Sequence, residues 1–219
     1  MSKRRRARRS RRQAQDTPSA VYVTEYEITT SPIQDRRYKR LPRRVKDAIE
    51  RLHDEAQRRP RETIPELLEW IEKYPRVPML YNYLSVAYSL AGQREKSEAV
   101  VQENYRRNPE YLFARLNYAE ICLAKGEYEK IGEIFEHKYD LKLLYPRRKR
   151  FHISEVANFM GLIGVYFYET GEREAAEKYY EILEQIAPDY PMAKRLRRKL
   201  FPNQLQRLWQ RLVGQSPSS

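Results

Sequence analysis

The sequence predicts an all-α protein built from repeated pairs of antiparallel helices. Only 7 glycines accompany 18 tyrosines, and period-2 alternation of apolar residues occurs in one short stretch. From residue 41 onward, apolar residues recur at intervals of three and four, as on one face of an α-helix. Gly92 and Gly126 lie 34 residues apart, each where a helical pattern ends. Together these observations favour stacked helical hairpins over a β-sandwich or barrel.

The first hairpin is predicted between residues 45 and 75, with helix ends at Pro60 and Pro75. Its apolar residues are Val45, Ile49 and Leu52 in the first helix and Ile64, Leu67, Leu68 and Ile71 in the second.

Three further units resemble the tetratricopeptide repeat, which has an aromatic-x-x-Leu-Gly-x-x-Tyr first helix, a turn glycine and a second helix ending at proline. The first of these units matches at Tyr81, Leu84, Ser85, Tyr88, Gly92, Ser97, Val101 and Pro109. The second matches at Tyr118, Ala119, Cys122, Gly126 and Phe135, with Arg115 in place of the aromatic and the closing proline displaced to Pro146. The third matches at Met160, Ile163, Gly164, Phe167, Gly171, Ala176, Tyr180 and Pro188.

This resemblance implies a right-handed superhelical stack over residues 41–200, because each unit buries its apolar face only against its neighbours. The units are expected at about 44–77, 78–111, 112–156 and 157–190, with an insertion at 141–151. Small residues are expected to allow close helix approach within a pair, and large ones to fill the space between pairs. The small residues are Ser85, Ala119 and Gly164, and the large ones are Tyr88, Phe135 and Tyr180.

The chain after Pro188 is predicted to cap the stack. A helix with Met192, Leu196 and Leu200 is followed, within residues 201–219, by an amphipathic capping helix that contains Trp209. The alternative for this last helix is an interfacial membrane helix.

Residues 1–40 are predicted to form a disordered basic arm and an extended linker. The arm holds eight cations and no acidic residue between positions 3 and 12, so burial cannot offset its ordering entropy. Residues 20–30 alternate like a strand, and no second strand is recognisable in the sequence. We therefore expect an unpaired linker, although it could lie on the helical body or pair with a partner's sheet, and we expect no sheet within residues 45–200.

Charge is distributed unevenly: the net charge of +13 divides into +10 over residues 1–44, −4 over 45–189 and +7 over 190–219. Such asymmetry indicates nucleic acid, an anionic membrane or an acidic partner acting through the ends. The longest apolar run, 159–168, is about half of what a bilayer span requires, and no secretory signal is recognisable. With a single cysteine, Cys122, the chain is expected in the cytoplasm, or in the nucleus of a eukaryote.

No enzyme, metal site or cofactor site is expected. His53, His137 and His152 are scattered, and neither a phosphate-binding glycine loop nor a serine nucleophile elbow occurs. Ser154 is predicted to be the N-cap of a helix beginning at Glu155 rather than a catalytic partner of His152.

The resemblance implies a concave groove, lined by the first helices, that binds a protein or peptide. Some repeat proteins clamp the C-terminal carboxylate of a chaperone with polar residues at fixed positions, and only Asn117 matches one of these positions. An apolar or helical ligand is therefore expected instead. The groove residues implied are Met79, Asn82, Val86, Leu90, Phe113, Leu116, Glu120, Leu123, Asn158, Val165 and Tyr168.

Two basic segments are candidates for binding RNA, DNA or another polyanion without sequence specificity. The arm could instead be a nuclear-localisation signal or an organellar presequence, and the insertion tip could be a solvated loop. Two functions therefore stand, an adaptor that binds protein through its groove and a nucleic-acid- or ribosome-associated protein. The basic residues are Lys3, Arg4, Arg5, Arg6, Arg8, Arg9, Arg11 and Arg12 in the arm and Arg147, Arg148, Lys149 and Arg150 at the tip.

Overall fold

The computed structural model describes residues 26–33 and 36–202, and this part of the chain is mostly helical, as predicted. The basic arm and the last capping helix lie outside the described residues. In chain order the elements are β1 (Glu27–Thr29), α1 (Arg36–Lys39), α2 (Arg43–Arg58), α3 (Pro60–Lys73), α4 (Pro78–Leu90), α5 (Arg94–Arg107), α6 (Leu112–Lys125), α7 (Tyr128–Ile134), α8 (Leu141–Leu144), β2 (Arg150–His152), α9 (Ile153–Glu169), α10 (Arg173–Ile186) and α11 (Pro191–Leu200).

Glycine ends the first helix in three of the helical pairs, as predicted. Gly92, Gly126 and Gly171 have φ angles of 77°, 72° and 87°, a left-handed conformation that other residues rarely adopt. The residue after each glycine donates its N–H to the carbonyl five positions earlier, for example Glu127 to Cys122 at 2.9 Å. These 6→1 bonds satisfy carbonyls that the helix end would otherwise leave unpaired.

The small and large residues of the repeat pattern have mostly the predicted packing. A Cβ atom placed on Gly164 would lie 2.5 Å from a methyl group of Leu196 in α11 and 3.1 Å from Cβ of Tyr179 in α10. Phe135 is fully buried and packs edge-to-face on Phe159, with ring centroids 5.4 Å apart. Tyr180 has the predicted packing only in part: it is partly exposed and packs on the apolar core and on Phe201, with ring centroids 5.4 Å apart, while its neighbour Tyr179 is the buried ring.

Two apolar cores lie along the chain, one within α2–α4 and one extending from α6 to α11. A partly buried asparagine network crosses from α4 through α5 to α6. Asn82 Oδ1 accepts hydrogen bonds from Nδ2 of Asn104 at 2.9 Å and of Asn117 at 3.2 Å, and Asn104 Oδ1 accepts one from Asn108 at 3.0 Å. Part of the junction between the two cores is therefore polar.

The expectation of an unpaired N-terminal linker was wrong for residues 27–29. β1 pairs in parallel with β2, Ile28 lying opposite Phe151. The ring of Tyr26 packs edge-on against Phe151 at 5.0 Å, and burial, followed by the charge of Asp140, raises the pKa of Tyr26 to about 12. The expectation of no sheet within residues 45–200 was therefore also wrong at 150–152.

Candidate functional site

The first helices of the pairs pack on one another in two groups, α2 with α4 and α9 with both α6 and α11, and the hydrogen bond between Asn82 and Asn117 connects α4 to α6. Side chains also connect these helices, for example Arg195 in α11, which donates to the Glu120 carboxylate in α6 at 2.7 Å. We call the outward surface of α2, α4, α6, α9 and α11 the first-helix face.

Three of the predicted groove residues belong to the core instead. Leu116, Leu123 and Val165 are 3%, 7% and 0% exposed. They join the same apolar cluster as most of α9, which packs directly on α6. These three side chains therefore support helix packing and do not line an open groove.

Among the other predicted groove residues, Val86 and Leu90 are the exposed ones, at 40% and 58%. They lie one turn apart on α4, and we call them the Val86–Leu90 patch. The remaining six are partly buried: Met79, Asn82, Phe113, Glu120, Asn158 and Tyr168. Within this set, Asn158 donates to the Ser154 carbonyl at 2.7 Å, and the Lys199 ammonium lies 5.7 Å from the ring centre of Tyr168.

The insertion tip does not project four free charges, which corrects the sequence-based expectation. Arg148 forms a two-pronged ion pair with Glu155, and its guanidinium lies 4.3 Å from the ring centre of Phe151. Arg150 pairs with Glu27 across the small sheet at 2.8 Å. Arg147 and Lys149 are exposed and form no ion pair with the described part of the chain. Half of the predicted tip thus has a structural role.

The segment containing His152 and Ser154 caps a helix. The N-cap of α9 is His152, and not Ser154 as predicted, because the helix begins at Ile153. The His152 N–H donates to the Glu155 carboxylate at 2.9 Å, and the imidazole accepts from the Ser154 N–H at 3.2 Å, which completes a capping box. These polar groups therefore satisfy the start of a helix.

Other reactive groups are dispersed. Cys122 is buried, and burial raises the pKa of its thiol, which lowers the thiolate fraction. No group of acidic, histidine and cysteine residues within the described chain is arranged to hold a metal ion. None of the helices described there has the length and apolar character needed to span a bilayer.

The sequence-based interpretation missed a basic cleft at the starts of α2, α4 and α6. It encloses about 740 Å³. The sequence did contain one indication of this cleft. Lys73 and Arg107 are 34 residues apart and so occupy equivalent places at the ends of successive second helices. The cleft is lined by Tyr38, Arg40, Leu41, Lys73, Tyr74, Pro75, Arg76, Val77, Pro78, Met79, Arg107, Pro109 and Glu110.

Comparison of the chain with protein-family models, with curated proteins and with solved structures gives no match.

Proposed function

We propose that this protein is a non-enzymatic scaffold of the tetratricopeptide type that acts in the cytoplasm and binds a protein or helical peptide on its first-helix face. Turn glycines at the predicted register and the packing of first helices on one another support a superhelical repeat stack. The basic arm at residues 3–12 would add attachment to nucleic acid or another polyanion.

The observation that carries this proposal is the Val86–Leu90 patch. Val86 and Leu90 are exposed apolar side chains one turn apart on α4, and in a stack of the proposed type the first helices form the face that binds ligands. An amphipathic helix could bury both side chains by laying its apolar face along α4. Since Leu116, Leu123 and Val165 are buried, the proposed contact surface is centred on α4 rather than extending evenly to α9.

A photo-reactive amino acid tests this proposal directly. Placed at Leu90, it should cross-link a discrete protein in nuclease-treated extract of the native cell, and Val86→Asp should abolish that cross-link. Placed at Leu68, an exposed leucine of similar size on α3, it should give no such product. Equal products at the two positions, or a product that survives Val86→Asp, would contradict binding at the first-helix face.

A second function, association with nucleic acid or the ribosome, is favoured by the eight cations between residues 3 and 12. Deleting residues 1–15 should then reduce the slope of log K against the logarithm of salt concentration by about 0.7 for each phosphate that the arm neutralises. This change should be the same for any RNA sequence. Cross-linking at Leu90 should persist in the same variant. A salt dependence that the deletion leaves unchanged would exclude the arm as the binding element.

A further inference from the structure

The basic cleft is a second candidate binding site, separate from the Val86–Leu90 patch. Four cationic side chains and one carboxylate line it. Arg40 and Arg76 are exposed and form no ion pair with residues 26–33 or 36–202. The carboxylate, Glu110, lies 4.0 Å from the buried guanidinium of Arg115, which already offsets part of its charge. Lys73 and Arg107 are paired with Glu69 and Glu103, so the positive charge that the cleft offers to a ligand comes mainly from Arg40 and Arg76.

Helix ends of both signs lie at the cleft: the N-terminal ends of α2, α4 and α6 are partly positive, and the C-terminal ends of α3 and α5, at Lys73 and Arg107, are partly negative. The residues lining the cleft come from the segments just before α2, α4 and α6, so the N-terminal ends of these helices meet at one edge. None of the three has an acidic residue in its first turn or a side-chain cap, whereas α3, α5, α7 and α10 each have a glutamate in the first turn. The partial positive charges of these ends are thus not offset by their own side chains.

Aromatic rings lie among the cations. Tyr38 and Tyr74 both line the cleft and are only partly buried. Tyr74 is supported by a stacked Trp70, with centroids 5.7 Å apart and planes 27° apart, and Tyr38 is anchored by a hydrogen bond from its hydroxyl to Glu50 at 3.0 Å. Held rings beside exposed guanidinium groups form the arrangement that binds bases and phosphates in single-stranded nucleic acid.

We propose that this cleft binds single-stranded RNA or DNA without strong sequence preference. Arg40, Arg76 and their neighbours contact phosphates, and unpaired bases stack on Tyr38 and Tyr74. A duplex keeps its bases stacked on one another, so it could use the cations but not the rings. An acidic peptide likewise has no planar bases to stack. This inference goes beyond the proposed function and depends neither on the first-helix face nor on the arm.

The test compares two variants of the full-length protein that lose equal charge. Arg40→Gln with Arg76→Gln alters the cleft, and Arg58→Gln with Arg61→Gln removes two exposed cations, unpaired within the described residues, where α2 ends and α3 begins, away from the cleft. Binding to labelled single-stranded RNA of about 12 nucleotides is measured by fluorescence anisotropy over a salt series. The cleft variant should bind about tenfold more weakly than the control variant, with a salt slope smaller by about 1.4. Equal affinities for the two variants would overturn the proposal.

Stacking is tested separately with Tyr74→Leu. Affinity for the single strand should fall about fivefold or more, while affinity for a duplex of the same sequence stays unchanged. An equal loss of affinity for the single strand and the duplex would exclude single-stranded nucleic acid as the ligand. So would binding of a poly-glutamate peptide of matching charge as tightly as RNA. If Tyr74→Leu melts early, cross-linking of 4-thiouridine RNA to the wild-type protein replaces it. Adducts should then map to peptides containing Tyr38 or Tyr74, and adducts confined to other peptides would overturn the proposal.

Discussion

Arg115 in α6 is a buried cation, 4% exposed, at a position where the resemblance to the tetratricopeptide pattern predicts an aromatic residue. Its guanidinium donates to three partners: the Pro109 carbonyl at 2.6 Å, the Ile134 carbonyl at 2.7 Å and the Glu136 carboxylate at 2.9 Å. Two of these partners, Ile134 and Glu136, lie at and just after the end of α7, where Glu136 and His137 adopt positive φ angles. A buried cation thus connects the short α7 to the start of α6.

Replacing Arg115 with methionine should destabilise the protein by about 2–3 kcal/mol, since two partly buried carbonyls lose a charged donor. Denaturant unfolding followed by circular dichroism measures this change. Arg94→Met is the matched control. Arg94 also forms an ion pair, with Glu98, but its side chain is 81% exposed, so this pair should contribute less than about 1 kcal/mol to stability. Equal losses of stability in the two variants would show that the three hydrogen bonds of Arg115 stabilise the protein no more than the exposed ion pair of Arg94 does.

At the scale of elements, α2 and α3 are connected by a charged contact. Glu66 in α3 accepts hydrogen bonds from Arg51 in α2 and from Trp70 Nε1 at 3.1 Å. The Arg51 hydrogen bond is the main cause that lowers the pKa of Glu66 below its ordinary 4.5, with desolvation opposing it. The contact therefore favours the folded state when Glu66 is ionised.

Because the pKa of Glu66 is lower in the folded protein, the stability of the protein depends on pH. The contribution of Glu66 is fully present above pH 4.5, its ordinary pKa, and is lost as pH falls through its lower pKa in the folded protein. Urea midpoints measured from about pH 6 down to about pH 3 should thus fall less for Glu66→Gln than for the wild type. Glu69→Gln, which alters a looser pair with Lys73 at 3.5 Å, should follow the wild-type curve. A Glu66→Gln curve parallel to the wild type would contradict this assignment.

The elements that could be predicted from sequence are those set by local signals. Gly92, Gly126 and Gly171 end helices because their backbone conformation is local, so their spacing sufficed to place the turns. Burial of Leu116 and Leu123 could not be predicted in this way, because it depends on where α9 packs after an insertion of unknown path. The basic cleft was missed for the same reason: its cations come from three separate segments, and only the fold brings them to one edge.

At the scale of the whole molecule, described residues on either side of positions 34–35 contact the two different apolar cores. β1 pairs beside the start of α9, His152 Nε2 lies 3.1 Å from the Thr30 carbonyl, and Tyr38 and Leu41 pack against the α2–α4 core. The chain from β1 to Leu41 therefore joins the two apolar cores by a route independent of the asparagine network.

Deleting residues 1–33 should loosen that connection selectively. Amide hydrogen exchange should become faster at residues 150–152, and the melting temperature should fall by a few degrees, as expected for a loss of about 1–2 kcal/mol. Exchange within α4 and α5 should change little. A control deletion of residues 1–15 retains β1 and should leave both measurements at wild-type values. Unchanged protection at 150–152 in the longer deletion would show that β1 does not stabilise β2.

The pairing of Glu27 with Arg150 spans 123 positions of the chain, which has a consequence for biosynthesis. Helical hairpins such as α2–α3 close locally and can form as soon as both helices have left the ribosome. β1 must wait for its partner strand, and at typical elongation rates that interval is roughly 6–25 s. During translation the nascent chain therefore carries an unpaired strand edge ahead of its folded hairpins, and β1 can dock only after the insertion, with β2, has been made.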